Sequence, residues 1–246
     1  MTRGILIAGN ESSLFSAAAA EAVKRVESFA AALIPNRFPL PEGTGVPPSR
    51  TEAAAGIVSL SWNPASPISA RTLMLAAENR LGQINNAIII CCPPAVFKTP
   101  ENLMPEEIEI LVNDHIRGWF FLIRELVLYF RRCGAGVLSL VVPETPSGGK
   151  DSLDTNIREI NTRDINAGGK NAAADLLGPS ASASFRAFAQ GVLASQAGEP
   201  FQAMGFTTTE AGSEGDFAAW FFKIIDEGAA KNSGRWHRYS KLKFFR

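Results

Sequence analysis

Imidazole exchanges protons near neutral pH, and the chain has only two histidines, His115 and His237. His115, inside Asn113-Asp114-His115-Ile116-Arg117-Gly118, is a candidate relay acid or base. The preferred reading is a buried, hydrogen-bonded ring. His237 lies among Arg235, Trp236, Arg238 and Tyr239. That cluster reads as a surface or interface patch, with a phosphate site as the alternative. Cys91 and Cys92 are adjacent, with no basic neighbour in sequence to lower a thiol pKa, so they read as core thiols. A base brought near by folding stays open. No cysteine or histidine spacing fits a metal site.

Phosphate binding is the second chemistry on offer. Gly9, Asn10, Ser12 and Ser13 form a polar turn with Glu11 between an apolar run and a helical pattern. Two hydroxyls and a helix N-terminus there could hold a phosphate. Glu11 brings negative charge to the same place. Arg37 falls just past a second apolar run, where an arginine can select the 2′-phosphate of NADP. A solvated loop arginine is the preferred reading.

These residues need elements to position them. Ile5 to Ala8 is a strand candidate, followed by a helix from about Leu14 to Val26 with Ser12 or Ser13 as N-cap. Phe29 to Ile34 is a second strand. A strand, turn and helix in that order open a βαβ unit, where a dinucleotide's pyrophosphate usually sits. Arg37 to Arg50 is too rich in proline for regular structure. Ile57 to Ser61 is a third strand, and Ser69 caps a helix over Ala70 to Leu81 that Gly82 stops. Ala87 to Cys91 is a fourth strand. Pro105 starts a long helix, with Glu106 and Glu107 favourable in its first turn.

That helix carries Ile116, Trp119, Phe120, Ile123, Val127 and Phe130 at helical spacing. Phe121, Leu122, Leu126, Leu128 and Tyr129 make its other side apolar too, so it is expected to be covered on more than one side. Gly134 ends it, and Val137 to Val142 reads as a strand buried on both faces. Pro143 to Pro179 is a polar insertion, much of it a loop. Ser180 or Ser182 opens another helix, Phe201 to Met204 is a strand, and Asp216 caps a helix that Gly228 ends. Leu242 to Phe245 is a possible last strand. Strands alternating with helices predict an α/β fold. It is a Rossmann-like doubly wound parallel sheet, three-layer α/β/α, in a single domain over residues 1–246 with the insertion at about 143–179.

The whole chain sets bounds. Its 246 residues are 46% apolar and 20% charged, ordinary for a globular protein. A formal net charge of zero gives no electrostatic reason to bind nucleic acid. No apolar run reaches the ~18 residues of a membrane span, and the N-terminal apolar stretch is too short for a signal peptide. A soluble protein in a reduced, cytoplasmic setting is expected.

The order of these elements and several local phrases resemble the short-chain dehydrogenase/reductase family, over nearly the whole chain. His115-Ile116-Arg117-Gly118-Trp119-Phe120 is similar to the family's Asn-Leu-x-Gly-x-Phe. Leu81-Gly82 and the strand Ala87 to Cys91 look like the approach to its fourth strand. Gly134 to Val142 looks like its Gly-Gly-x-Ile-Val-Asn-Ile-Ser-Ser strand. Ser182 to Ala194 is similar to the helix bearing Tyr-x-x-x-Lys, and Gly215 to Gly234 to the closing helix with its Thr-Gly, here Ser233-Gly234.

The family's reactive residues do not follow. Its Thr-Gly-x-x-x-Gly-x-Gly turn becomes Ala8-Gly9-Asn10-Glu11-Ser12-Ser13-Leu14-Phe15, with one glycine kept and a phenyl ring at the last position. Its Asn-Asn-Ala-Gly is replaced near Cys91-Cys92-Pro93-Pro94. The resemblance places its catalytic asparagine on His115, its serine on Val142, its tyrosine on Pro179 and its lysine on Ala183. Pro and Ala cannot transfer a proton. Tyr239-Ser240-Lys241-Leu242-Lys243 matches Tyr-x-x-x-Lys literally. In a strand, though, residues four apart lie roughly 13 Å from each other, so the match reads as coincidence. The insertion lengthens the family's serine-to-tyrosine gap, and its substrate loop is cut to about Phe206 to Ser213.

Trp119-Phe120-Phe121 and Trp220-Phe221-Phe222 cannot each turn three rings to one sheet. The resemblance implies that these helices build subunit interfaces, and oligomerisation is favoured over rings packed under a loop. The leading expectation is a catalytically degenerate family homologue, a structural or regulatory subunit of a homo- or hetero-oligomer. No metal or cofactor is expected, with NAD(P) as the alternative. The rival is an NAD(P)H-dependent oxidoreductase with relocated groups, His115 first among them. A small-molecule sensor using the old cleft is the third reading.

Overall fold

The computed structural model describes residues 4–26, 29–34, 56–144, 174–210 and 212–241. Strand β1, Gly4–Asn10, is buried at every position. Leu6 and Ala8 pack on one face and Ile5 and Ile7 on the other, as a central parallel strand requires. The chain then runs through helix α1 (Ser13–Val23), β2 (Phe29–Ile34), β3 (Ile57–Leu60), α2 (Pro67–Leu81) and β4 (Ile84–Ile90). A two-residue strand β5 (Phe97–Lys98) precedes α3 (Pro105–Ile110), a π-helical segment (Leu111–Arg117) and α4 (Gly118–Cys133). The remainder is β6 (Val137–Val141), β7 (Ala174–Asp175), α5 (Gly178–Ala194), β8 (Gln202–Thr208), α6 (Glu214–Asn232) and β9 (Arg235–Tyr239). Seven strands form one sheet in the order β3-β2-β1-β4-β6-β8-β9, every pair parallel. Residues of α2, α4 and α5 complete the core on one face, and those of α1 and α6 on the other. The predicted three-layer, doubly wound architecture is the one observed.

Local chemistry explains the boundaries. Ser12 caps α1, its Oγ accepting the Phe15 N–H at 3.1 Å. α2 starts earlier than predicted. Ser66, not Ser69, is its N-cap, with Pro67 following at the first helical position. The Ser69 hydroxyl instead accepts the Asn63 N–H at 2.7 Å. Gly134 ends α4 with φ 71°, a left-handed conformation open to glycine.

Other boundaries also differ. α5 begins at Gly178, not at Ser180 or Ser182. Asp175 Oδ1 accepts the Gly178 N–H at 3.0 Å and the Val96 N–H at 3.1 Å, joining the helix start to the small β5–β7 pair. β8 runs on to Thr208, past the predicted Met204, leaving only residues 209–213 before α6. Ser213, not Asp216, stands at the N-cap of α6, and the expected break at Gly228 is present: its backbone (φ 136°, ψ 91°) is non-helical, and a second helical stretch follows it to Asn232. The final strand comes early: Arg235–Tyr239 pairs with β8, a polar edge strand that apolar patterning overlooks. Leu242 to Phe245 lies outside the described residues, as do Arg37 and residues 145–173 of the polar insertion. Among the described residues no helix is long and apolar enough to cross a membrane.

Candidate active site at the end of strand β1

In an open parallel sheet the ligand crevice lies beyond the carboxyl ends of the strands where the strand order reverses. Here β1 sits between β2 and β4, with the later strands continuing beyond β4. The switch point is therefore the end of β1 and β4, which brings Gly9, Asn10, Ser12, Cys92 and His115 together.

Each of these side chains is engaged by a neighbour. A β-carbon added to Gly9 would lie 2.7 Å from Phe15 Cδ2 and 3.2 Å from the Ile90 carbonyl oxygen. The buried Phe15 ring therefore stands against the turn's remaining glycine. The buried Asn10 carboxamide binds on two sides. Its Nδ2 donates to His115 Nδ1 at 3.0 Å, and its Oδ1 accepts the Cys92 N–H at 3.3 Å. With Nδ1 accepting, the hydrogen of the neutral ring sits on Nε2. Burial pushes the His115 pKa down to about 4, so the imidazole is neutral across the physiological range. Ser12 is half-buried and committed to its cap. Ser13 and Glu11 are exposed.

Both adjacent thiols are held in the protonated form. Burial raises Cys92 to about 11, with Glu214 adding to the rise and a Ser12 hydrogen bond opposing it. Burial holds Cys91 well above the usual thiol range. Among the described residues the side chains that act on Cys92 are a hydroxyl, Ser12, and a carboxylate, Glu214, rather than a basic group.

His115, the predicted buried and hydrogen-bonded ring, is that. Its partner Asn10 was legible only as a turn residue. The π-helical segment that aims the ring gave no signal in sequence, since Leu111–Arg117 contains neither proline nor glycine. Trp62 was also missed. It is buried against Trp119, centroids 6.1 Å apart, and Pro64 packs on Gly118 so closely that an added β-carbon would sit 2.6 Å from Pro64 Cβ. A glycine inside a helical pattern was the one clue.

The remaining candidates lie elsewhere. His237 stacks on Phe206 at 5.4 Å, and its Nε2 is 3.1 Å from the Asn232 carbonyl, so its ring contacts are internal. Tyr239 is buried in β9 against Phe217 and Trp220, and Lys241 Nζ pairs with Asp216 at 3.4 Å. Tyr239, the first residue of the Tyr-x-x-x-Lys match, thus belongs to a strand, and its lysine, Lys243, lies outside the described residues. Val142 is buried, whereas Pro179 and Ala183 are exposed on α5, a helix without Tyr, Lys or His. No cluster of His, Cys, Asp or Glu suited to a metal occurs among the described residues. The aromatic runs pack largely within the chain. Trp119 is fully buried, Phe120 stacks on Phe188 at 4.1 Å, and Phe221 and Phe222 are core. Phe121 and Trp220 are half-buried.

Comparison with solved structures gives this architecture a family resemblance at low sequence identity. A short chain dehydrogenase from Mycobacterium smegmatis superposes with a TM-score of 0.67 at 12% identity, over 98% of this chain and 93% of that one. The fold is that of the short-chain dehydrogenases/reductases. An NADH-dependent reductase complexed with NAD matches at TM-score 0.64 and 13% identity, covering 97% of this chain and 95% of its own. A double mutant of the Serratia marcescens short-chain dehydrogenase/reductase gives 0.65 and 9%, over 96% and 95%. No protein-family model and no curated protein matches the sequence. The likeness to short-chain dehydrogenases/reductases is thus one of fold.

Proposed function

We propose that this chain is a catalytically degenerate protein on the short-chain dehydrogenase/reductase fold, working as a structural or regulatory subunit. One observation carries the reading: the end of β1 is filled by its own side chains. Phe15 lies on Gly9, and Asn10 is tied to both Cys92 and His115. A pyrophosphate at this turn needs the close backbone approach that glycines allow. It also needs donors or positive charge, yet Ser12 is capping α1, His115 is neutral, Glu11 is in the turn itself, and the Glu214 carboxylate acts on Cys92 beside it. The residues present do not fit NAD(P) in the usual pose.

Proton transfer fares no better. A useful general acid or base has a pKa near the working pH. His115, near 4, is a weak base with its Nδ1 already occupied. The surface of the helix layer supports the subunit reading. Arg117, Phe121, Arg124 and Leu128 follow one another along the outer side of α4. A groove of about 320 Å³ separates α4 from α5, floored by Val127, Phe188 and Val192. Ala183, Ala187, Gly191 and Ala194 leave a low, exposed surface on α5. The partner is a second copy or a homologue on the same fold.

Calorimetric titration with NADH and with NADPH tests this. No heat and no thermal stabilisation at millimolar cofactor is the expected result. Micromolar binding would overturn it and bring forward an oxidoreductase with relocated groups, to be checked by turnover of His115→Ala. Stabilisation by a metabolite alone would favour the sensor.

A further inference from the structure

The helical stretch Pro105–Cys133 changes its winding part-way. Over Leu111–Arg117 it is a π-helix, and the Gly118 N–H donates to the Asn113 carbonyl five residues back. Such turns are uncommon, occur mostly as single-turn insertions and gather at functional positions. Nothing in Leu-Val-Asn-Asp-His-Ile-Arg demands one, since the segment has neither proline nor glycine. Tertiary contacts hold it: His115 to Asn10, Pro64 on Gly118, and Leu111 in a small cluster with Leu177 and Ala181.

The two flanks of this segment differ. On the α4 side Trp119, Leu122, Ile123, Leu126 and Phe130 are all buried and anchored to the sheet. On the α3 side Glu107 alone is buried within Pro105–Ile110, and Met104 at its N-cap, Ile108 within it and Val112 just beyond it are left 54%, 44% and 37% exposed. If the wide turn rewinds as α-helix, α4 stays and α3 rotates. One residue of register corresponds to about 100°.

We propose that the Asn10–His115 hydrogen bond is a latch on a two-state helix. Closed, it holds residues 111–117 in the π register. Open, they wind as α-helix, α3 turns and carries Met104 and Ile108 with it, and the end of β1 is uncovered. The Lys98–Glu107 ion pair of 2.7 Å, which ties α3 to β5, is exchanged in the turn. The device operates whether or not the chain acts on a substrate.

Methionine methyl NMR reads it directly. Only four methionines are present. Met74 and Met204 are buried while Met104 is exposed, and Met104→Leu assigns its line. Asn10→Ala and His115→Ala are each expected to move the Met104 line to one common new position, with the Met74 and Met204 lines in place. The double variant adds nothing further. An unmoved Met104 line in either folded variant would sink the idea. Where a variant fails to fold, relaxation dispersion on Met104 in the unaltered protein decides. Microsecond-to-millisecond exchange confined to Met104 supports the latch, and a flat profile overturns it.

Discussion

The Phe15 ring occupies the space that a side chain on Gly9 would need. A β-carbon there would fall 2.7 Å from Phe15 Cδ2, with the Ile90 backbone closing the other side at 3.2 Å. Gly9→Ala is therefore expected to destabilise the fold by about 1–3 kcal/mol, the usual cost of overfilling a packed core. The loss should shrink in Gly9→Ala/Phe15→Ala relative to the sum of the two single changes. Chemical denaturation of the four proteins in a double-mutant cycle measures that coupling.

His115 sets a pH dependence. Its folded pKa is lowered from 6.5 to about 4 by burial, so between those values the unfolded chain binds the proton and the folded one does not. Stability from this group is fully present above pH 6.5 and is lost as pH falls toward 4. At about 1.36 kcal/mol per pKa unit the loss reaches about 3 kcal/mol. Urea midpoints at pH 7, 5.5 and 4.5 should fall in that order, and His115→Asn should flatten the part of the slope between pH 6.5 and 4.

Gly205 stands under an indole. A β-carbon at that position would lie 2.4 Å from Trp236 Cε3, and Arg186 covers the ring at 5.3 Å. Gly205→Ala should displace Trp236 and cost about 1–3 kcal/mol. Red-shifted tryptophan emission together with a lower Tm is the expected signature. An unchanged spectrum would mean that the ring adapts in place.

Leu128 lines the groove between α4 and α5 and is among the exposed large apolar residues. Leu128→Asp should shift sedimentation of a homo-oligomer toward the monomer, with a change in monomer stability within about 0.5 kcal/mol. A sedimentation profile identical to that of the unaltered protein would remove α4 from the subunit interface.

The central strands were readable, because Ile5 to Ala8 is a continuous apolar run and Val137 to Val142 is apolar apart from Ser139, both bounded by turn residues. The last strand was not. Arg235–Tyr239 is a polar edge strand, and apolar patterning pointed instead to Leu242–Phe245. Helix starts depend on which hydroxyl reaches which N–H, so Ser69 was read as the cap although Ser66, followed by Pro67, holds that place. At the site, Phe15 was legible as an obstacle from its position in the glycine turn. Asn10 was not legible as the partner of His115, because nothing in local spacing links residues brought together by separate strands and helices. The π-helical winding was invisible for another reason: Leu111–Arg117 contains neither proline nor glycine to mark it.

The Asn10–His115 bond spans 105 positions of the chain. Closing so long a loop is entropically costly before other contacts are in place, so this bond is expected to form after the rate-limiting step of folding. Breaking it should then leave the refolding limb of a chevron nearly unchanged and raise the unfolding rate. The contact that shuts the end of β1 thus governs how long the native state survives rather than how fast it is reached.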